Sequence, residues 1–384
     1  MTATSDKLGL GPMNLASIRQ RYPALKQGTF LNHAATAPIS YATTQKMRAL
    51  CSDMQQPLEN HFEPWFALIE ETRQLLAELL HCSSGEIALT SSTSVALSII
   101  AGSIDFEVGD RVLVPRNEFP SNRYVWQNLH HRGVECLFFD LPNGASLIET
   151  LEQQNLNKVR LIALSLVSYS TGQKQDIEAF GAFCREHGIF SCVDAIQGVG
   201  TFPIDVQKAA VDFLAGGAQK WLLGPVGCGY FYIRKELIER VRVPLVGWAS
   251  VRCPENFDEL TLDFASEARR FEAGFPNIVS IGGLNASLWE LKKIGWDMIY
   301  ARIRSHTNYL AKNLDPIVAD PSHLGAIVIF PLPAKADLQE VRTQFINRGI
   351  ALTIRNHCVR VAPHFYNTQQ ELDYFLNSNP SCVA

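Results

Sequence analysis

Between residues 87 and 233 the chain alternates short apolar runs with longer helical patterns, and this alternation restricts the possible folds more than any other feature of the sequence. The apolar runs are IALTSS, RVLVP, VECLFFD, VRLIALSLV, IFSCVDA, VDFLAGGA and GYFYIRK. Strands this apolar are typical of a sheet that is buried on both faces, and helices between them indicate parallel connections. The sequence therefore predicts an α/β fold with a mostly parallel, doubly wound sheet of seven strands.

A second structural unit is predicted after residue 245, because the pattern changes there. The polar stretch CPENFDELTLDF is followed by a long helical region from about residue 280 to 314, and then by short strands and two further helices. We predict an N-terminal segment over residues 1–30 that packs with the small domain, a large domain over 31–245, and a smaller C-terminal α+β domain over 246–384.

Charge and cysteine usage restrict the partners of the protein. The formal net charge is -4, and lysines and arginines are scattered, so no basic surface for nucleic acid is indicated. No apolar run is long enough to span a bilayer, and the first residues lack the pattern of a signal peptide. The nine cysteines form no C-x-x-C pair, which disfavours a zinc site or a disulfide framework. We expect a cytoplasmic protein with small-molecule partners and no metal.

Ligands of such sheets bind beyond the carboxyl ends of the strands, where this chain carries reactive side chains. Lys220 follows an apolar run and is enclosed by small and apolar residues in AGGAQKWLLGPVGCG. A lysine is usually a solvated surface charge, but desolvation lowers its pKa and makes it a nucleophile that can form a Schiff base. Asp194 ends the neighbouring run in SCVDAIQGVG, where the ordinary explanation would be a helix cap or a turn.

A lysine and an acid at adjacent strand ends fit pyridoxal phosphate, because a carboxylate keeps the ring nitrogen protonated while the lysine binds the aldehyde. Ser92, Thr93 and Ser94 open a predicted helix, whose N-terminal amides attract a phosphate group. Phe119 is an aromatic side chain that could stack on the ring. A Rossmann-type nucleotide binder is disfavoured because no G-x-G-x-x-G or Walker lysine motif occurs.

Nearly the whole chain, from FLNHAATAPIS to RVAPHFYNTQQELD, resembles the class V aminotransferase and cysteine desulfurase group of fold type I pyridoxal phosphate-dependent enzymes. The most specific parts are VDAIQGVGTFPIDV, DFLAGGAQKWLLGPVGCGYFYI and RRFEAGFPN. The resemblance implies that Lys220 is the Schiff-base lysine, that Asp194 pairs with the pyridinium nitrogen, and that Gln197 approaches the ring hydroxyl. It also implies a homodimer whose active sites lie at the subunit interface.

The same resemblance assigns residues at the two ends of the site. Thr93 and Ser94 match the paired hydroxyls that bind the phosphate, and Gln219 fills the position before the lysine. Asn277, in EAGFPN, is implied to reach the phosphate end of the other subunit's site. Arg360 matches the arginine that holds the α-carboxylate of the substrate by a two-pronged contact.

Three further residues are predicted to contact the substrate. His33 and Ala35 lie in LNHAATAPIS, a segment that borders the site in the resembling family. Tyr169 occupies a strand end where related enzymes often place an asparagine. His33 could instead cap a turn, and Tyr169 could instead be a half-buried packing ring.

The expected substrate is a small α-amino acid, which would react through an aldimine and a quinonoid, with Lys220 as the general base. Desulfurases carry a loop with a nucleophilic cysteine between the arginines that match Arg355 and Arg360, whereas only NHCV separates them here. Cys358 is therefore expected to be a packed residue. The turn NEFPSNRY resembles the kynureninase branch, in which a phenylalanine covers the ring. The favoured reaction is an elimination, including carbon–sulfur bond cleavage. Aminotransferase or epimerase activity is the alternative, cysteine desulfurase activity is less favoured, and a non-catalytic binding module is the least favoured.

Overall fold

The structure of the chain is a computed structural model that describes residues 14–57 and 61–378. Residues 1–13 of the predicted N-terminal segment lie outside the described residues. In chain order, the strands are β1 (Thr29–Phe30), β2 (Ile87–Thr90), β3 (Arg111–Pro115), β4 (Glu135–Phe139), β5 (Val159–Ser165), β6 (Phe190–Asp194), β7 (Phe213–Gly217), β8 (Gly229–Ile233), β9 (Val328–Pro331), β10 (Ile350–Ala351), β11 (Thr353–Arg355) and β12 (Cys358–Val361).

Helices connect and cover these strands. The α-helices are α1 (Leu15–Arg19), α2 (Tyr41–Asp53), α3 (Phe62–Leu80), α4 (Thr93–Ser103), α5 (Ser121–Gln127), α6 (Leu147–Glu152), α7 (Ile177–Glu186), α8 (Val206–Ala209), α9 (Ile278–Ile294), α10 (Trp296–Asn313), α11 (Leu338–Asn347) and α12 (Gln369–Ser378). Short 3-10 helices lie at Pro23–Lys26, Ser84–Glu86, Asn128–Arg132, Lys235–Leu237, Trp248–Ser250 and Ala268–Phe271. The predicted helical region from 280 to 314 is two helices, because Gly295 between them has a φ of 100°, which ends the first helix.

Seven strands form the large sheet in the order β2-β8-β7-β6-β5-β3-β4. The five strands from β7 to β4 are parallel to their neighbours, and β8 is antiparallel to both β7 and β2. Both faces of this sheet are buried: along β6, Cys192 packs into one hydrophobic cluster and Val193 into another. This confirms the predicted fold class, a mostly parallel sheet of seven strands in a large α/β domain.

The C-terminal part is smaller and has its own core. Strands β11, β12 and β9 form an antiparallel sheet, and the side chains of Val328, Phe345, Val359 and Phe375 pack together beside it. Strand β1 pairs in parallel with β10, so the start of the described chain joins this part. The exact domain boundaries stay a prediction. Within the described ranges, no helix has the length and apolar character needed to cross a membrane, and no group of three or more His, Cys, Asp or Glu side chains could hold a metal ion.

The parallel strands end together, and this positions the polar side chains that follow them. Ser165 and Asp194 are the last residues of β5 and β6 and are neighbours in register, and Asp194 is paired with Ala215 in the middle of β7. After β7, the chain turns and brings Lys220 back towards the same edge of the sheet, with Ala218 N–H bonded to the carbonyl of Cys228 at 3.1 Å. The predicted acid and lysine therefore lie at one edge.

His33 links the N-terminal segment to the C-terminal part in the protein interior. Its Nδ1 bonds to the carbonyl oxygen of Ala362 at 2.7 Å, so this nitrogen carries the proton, and its Nε2 accepts from the hydroxyl of Tyr366 at 2.5 Å. The ring is fully buried, and this burial lowers the pKa of His33 to about 3. The histidine is therefore neutral in the folded protein at every pH at which the protein is normally handled.

Acid is expected to destabilise the protein through His33. Because the pKa is about 6.5 in the unfolded chain and about 3 in the folded one, stability is fully present above pH 6.5 and falls as the pH drops towards 3. At pH 5 the loss amounts to about 2 kcal/mol. The variant His33→Asn can still donate to Ala362 but has no group that titrates. Between pH 7.5 and pH 5, its free energy of unfolding, measured by urea denaturation, should therefore fall by about 2 kcal/mol less than that of the wild type. Equal losses in both proteins would contradict this assignment.

Candidate active site

A cavity of about 340 Å³ lies beyond the carboxyl ends of the parallel strands. All of the predicted site residues except His33 and Asn277 line it. The lining residues are Ala34, Ala35, Ser92, Thr93, Ser94, Phe119, Ser121, Ser165, Val167, Tyr169, Asp194, Ile196, Gln197, Gln219, Lys220, Arg355 and Arg360.

Lys220 is the reactive amine of this cavity. Its Nζ lies 5.9 Å from the centre of the Phe119 ring. Burial lowers the pKa of Lys220 to about 8, which the carboxylate of Asp194 opposes and the guanidinium of Arg360 reinforces. A large fraction of the amine is therefore neutral at mildly alkaline pH, which is the form that attacks an aldehyde.

Asp194 is the buried acid at the end of β6. One of its oxygens accepts a hydrogen bond from the backbone N–H of Ile196 at 3.1 Å, so the turn-forming role expected of an acid here is present. The side chain also lines the cavity, where burial raises its pKa while the Ile196 amide and the Lys220 ammonium lower it. A cation brought next to this carboxylate would be stabilised in the low dielectric of the site.

The opposite end of the cavity is suited to an anion. Helix α4 begins there, and Ser92 caps it by accepting from the N–H of Val95 at 3.2 Å. The hydroxyl of Thr93 is buried and has no hydrogen-bond partner, and the Ser94 hydroxyl lies 2.8 Å from that of Ser121. A buried hydroxyl without a partner is costly, so Thr93 at a helix N-terminus fits a phosphate oxygen.

The aromatic wall consists of Phe119 and Tyr169. Phe119 is 40% exposed, and its ring contacts that of Tyr169 edge to face, with 5.2 Å between the ring centres. The exposed part of the Phe119 ring is available to a flat ring. Gln219 lines the cavity, and its backbone carbonyl accepts from the N–H of Ala37 at 2.8 Å, which ties the turn that carries Lys220 to the chain before α2.

Two arginines from the hairpin of β11 and β12 line the cavity. Arg360 makes only long contacts, at 3.5 Å to the carbonyl of Tyr169 and 3.4 Å to the hydroxyl of Thr353, and its buried Nε has no partner. Arg355 lies with its guanidinium 5.7 Å from the centre of the Tyr169 ring. Burial and the nearby Arg355 lower the pKa of Arg360 to about 10. Neither arginine takes part in an ion pair within the described residues, so this end of the cavity carries unneutralised positive charge.

Two predicted residues are not in the cavity. His33 is predicted to contact the substrate, but its side chain does not line the cavity and both ring nitrogens bond to residues in the interior, so that contact stays a prediction. Asn277 caps helix α9 by accepting from the N–H of Ser280 at 3.1 Å, and it does not line this cavity. Its implied contact is with the site of the other subunit, and that role stays a prediction.

Glu118 is a site residue that the sequence analysis missed. It is buried beneath the cavity wall and accepts hydrogen bonds from the N–H of Ser165 at 2.6 Å, from the Ser165 hydroxyl, and from the amide of Asn122 at 3.1 Å. Burial raises the pKa of Glu118 to about 7, and the negative charge of Asp194 adds to this effect. The available signal was an acid directly before the aromatic residue that was expected to stack on the ring.

Cys358 lies beside the cavity and not in its wall. It contributes to a separate space of about 40 Å³ that shares Tyr169, Arg355 and Arg360 with the cavity. Its side chain is half-buried against the hydrophobic core, and this burial raises the pKa of the thiol. The structure thus has the features expected of a packed cysteine.

Comparison with known proteins identifies what the chain is similar to. The family model described as aminotransferase class-V matches residues 29–375. A probable cysteine desulfurase from Methanothermobacter thermautotrophicus is 26% identical over 94% of this chain and 96% of its own length. An uncharacterised aminotransferase, YcbU of Bacillus subtilis, is 27% identical over 94% of this chain and 95% of its own length.

Solved structures show the same fold. The cystine C–S lyase C-DES, in complex with its reaction product cysteine persulfide, superposes with a TM-score of 0.86 at 22% identity, covering 93% of this chain and 98% of that one. A C-DES mutant with glycine covalently linked to its PLP cofactor also superposes with a TM-score of 0.86 at 22% identity, covering 94% and 98% of the two chains.

The residues present in this chain fit pyridoxal phosphate. The unpartnered hydroxyl of Thr93 at the start of α4 suits the phosphate, the amine of Lys220 suits the aldehyde, and the carboxylate of Asp194 suits the protonated ring nitrogen. The exposed ring of Phe119 in the cavity wall suits the ring. These groups surround one cavity. It is their combination, and not any one of them alone, that indicates a pyridoxal phosphate site.

The pKa of Lys220 is expected to move in opposite directions when its two charged neighbours are removed. Asp194→Asn removes a group that raises the pKa, so Lys220 should lose its proton at lower pH, whereas Arg360→Gln removes a group that lowers it, so the transition should move to higher pH. The rate at which a small acylating reagent labels Lys220 in the apo-protein, followed by peptide mass spectrometry across pH 6–10, measures the midpoint. The wild type should have its midpoint near pH 8. Shifts in the same direction for both variants would refute the electrostatic assignment.

Proposed function

Because the chain belongs to the aminotransferase class-V family, which depends on pyridoxal phosphate, we propose that it cleaves the carbon–sulfur bond of a sulfur-containing amino acid by β-elimination, with cystine as the substrate. The observation that carries this proposal is the pair of arginines, Arg355 and Arg360, that face the cavity without acidic partners. Two adjacent guanidinium groups repel each other, and a ligand with two carboxylates would neutralise both. Cystine is a sulfur amino acid with two carboxylates.

The reaction breaks one bond between Cβ and sulfur. Cystine would lose its Cα proton and the Cβ–S bond, giving cysteine persulfide and an aminoacrylate fragment that hydrolyses to pyruvate and ammonia. We assign Arg360 to the carboxylate on the reacting Cα, as the family resemblance implies, and Arg355 to the distal carboxylate. Cysteine persulfide is also the named product of the structurally similar C-DES.

The chain's own residues would divide the chemical work. Bound pyridoxal phosphate supplies an electron sink for the reacting carbon. Thr93 and the amides at the start of α4 would hold its phosphate, and Asp194 would hold the proton on its ring nitrogen. The Nζ of Lys220 would take the Cα proton, for which its lowered pKa is suitable. Phe119 would cover one face of the ring and exclude water from it.

Cysteine desulfurase activity is the second candidate, and the relatives named for it give it more weight than the sequence analysis did. Cys358 would have to accept the sulfur, and it lies on the same side of β12 as Arg360, two residues away. The structural objection is the turn before it: Asn356 and His357 form a two-residue hairpin, which leaves Cys358 in a strand and not on a mobile loop. The likeness to YcbU keeps aminotransferase activity as an outcome to be tested.

Assembly and location are part of the same proposal. A cluster of aromatic rings, each more than a third exposed, is formed by Phe62, Phe66, Trp248 and Phe275. Phe275 lies two residues before Asn277 in the chain. A second copy of the chain would cover this cluster and bring Asn277 to the partner's phosphate end. The described cysteines are all free thiols, which supports a reducing, cytoplasmic location.

Cystine should be turned over faster than cysteine, and Arg355 should carry that preference. We expect Arg355→Gln to raise the KM for cystine about threefold, because a charged hydrogen bond made by an exposed side chain is lost. The KM for S-methylcysteine, which has one carboxylate, should change little. Arg342→Gln is the matched control, since Arg342 reaches the same hairpin through the carbonyl of Ile354 but does not line the cavity.

The products distinguish the candidates. Elimination yields pyruvate in every turnover and should survive Cys358→Ser, which leaves the rest of the cavity intact. Alanine as the product, abolished by Cys358→Ser, would establish the desulfurase reaction and overturn the proposal. A stoichiometric conversion of the cofactor to its pyridoxamine form would instead establish an aminotransferase.

A further inference from the structure

The side-chain amide of Gln197 is held at both of its ends. Its Nε2 donates to the carbonyl oxygen of Ala34 at 2.9 Å, and its Oε1 accepts from the indole Nε1 of Trp221 at 2.9 Å. Gln197 is 2% exposed and lines the cavity. The amide therefore has little freedom to rotate.

The indole of Trp221 determines which atom of the Gln197 amide is the oxygen and which is the nitrogen. An indole N–H can only donate a hydrogen bond, and a carbonyl oxygen can only accept one. The atom facing Trp221 must therefore be Oε1, and the atom facing Ala34 must be Nε2. Nε2 has two hydrogens, of which Ala34 takes one, so the second remains available to the cavity.

Trp221 is itself fixed in place. It is fully buried, and its carbonyl accepts from Nε2 of His364 at 3.1 Å. Nδ1 of His364 accepts from the N–H of Phe365 at 2.9 Å, so the histidine is neutral with its proton on Nε2. Burial keeps the pKa of His364 well below its usual value, which preserves this arrangement in mild acid.

We propose that Trp221 is a positioning residue that sets the orientation of Gln197, so that an N–H donor and not a carbonyl acceptor faces the ring oxygen of the bound cofactor. The inference rests on the proposed cofactor site but not on the choice between elimination, desulfuration and transamination. It assigns a role to the residue that directly follows Lys220 and that does not line the cavity.

The orientation has an electrostatic consequence for the lysine-bound cofactor. The negative charge on the ring oxygen stabilises the protonated nitrogen of Lys220 beside it. A hydrogen-bond donor to the oxygen neutralises part of this charge and so weakens that stabilisation. The donor therefore lowers the pH at which the nitrogen loses its proton, which is seen as the midpoint of the visible absorbance change. Loss of the donor raises that midpoint.

The test is a spectrophotometric pH titration of the holo-protein without substrate. We expect Trp221→Phe to raise the midpoint by about 0.5 unit, the effect of about one weakened hydrogen bond. Gln197→Met, which removes the amide, should raise it by at least as much. If Trp221 acts through Gln197, the double variant should have the same midpoint as Gln197→Met alone. Additive shifts, or an unchanged midpoint in Trp221→Phe, would overturn the proposal.

Two further variants keep the test decisive. Trp289→Phe is the matched control, because Trp289 also donates through its indole, to Glu71 at 3.0 Å, but does not line the cavity; its midpoint should stay at the wild-type value. If Trp221→Phe does not fold, Gln197→Glu tests the donor. A carboxylate offers no N–H at this position and adds negative charge near the protonated nitrogen, so the midpoint should rise beyond that of Gln197→Met; a smaller rise refutes the proposed donor.

The cofactor assignment fails in a different way. If the wild-type protein has no visible band that borohydride removes, with no pyridoxyl group on the Lys220 peptide, then the proposed function falls. If the band is present and only the midpoints disagree, the inference about Trp221 falls alone.

Discussion

A buried aspartate and a half-buried lysine lie close together beyond the carboxyl ends of parallel strands, and the organisation of the site depends on this pair. Burial of an isolated charge costs several kcal/mol, and each member reduces the cost for the other: Asp194 raises the pKa of Lys220, and Lys220 lowers that of Asp194. Burial still outweighs this attraction for the lysine, whose pKa falls to about 8. A bound cofactor with a protonated ring nitrogen would bring a second cation to Asp194.

The strands that meet at the site could be predicted from the sequence, because each strand is indicated by its own short apolar run. The apolar runs predict buried strands, and the carboxyl ends of parallel strands meet at one edge, so Asp194 and Lys220 were expected to be neighbours before any contact was known. The register of Ser165, Asp194 and Ala215 agrees with this expectation. The antiparallel direction of β8 could not be predicted from its composition, because an apolar strand packs equally well in either direction.

Side-chain direction was harder to predict, because contacts between distant segments determine it. His33 follows a short strand next to Ala34 and Ala35, which do line the cavity, yet its ring turns inward to Ala362 and Tyr366. Glu118 looks like a solvated acid in a polar turn, and only the close approach of β5 makes it a buried acceptor. Partners more than forty residues away along the chain decide both cases, and a single sequence does not reveal them.

The hairpin of β11 and β12 shows how one scaffold can favour one reaction over another. Positive φ angles at Asn356 and His357 make the two-residue turn that matches the twist of its strands, with Arg355 paired opposite Cys358. A longer loop at this point would leave the strand pairs and Arg360 in place, but it would free the cysteine to approach the substrate. The short turn instead keeps Cys358 paired in the strand, opposite Arg355. In the proposed reaction, the length of this turn would therefore set how far Cys358 can move towards the substrate.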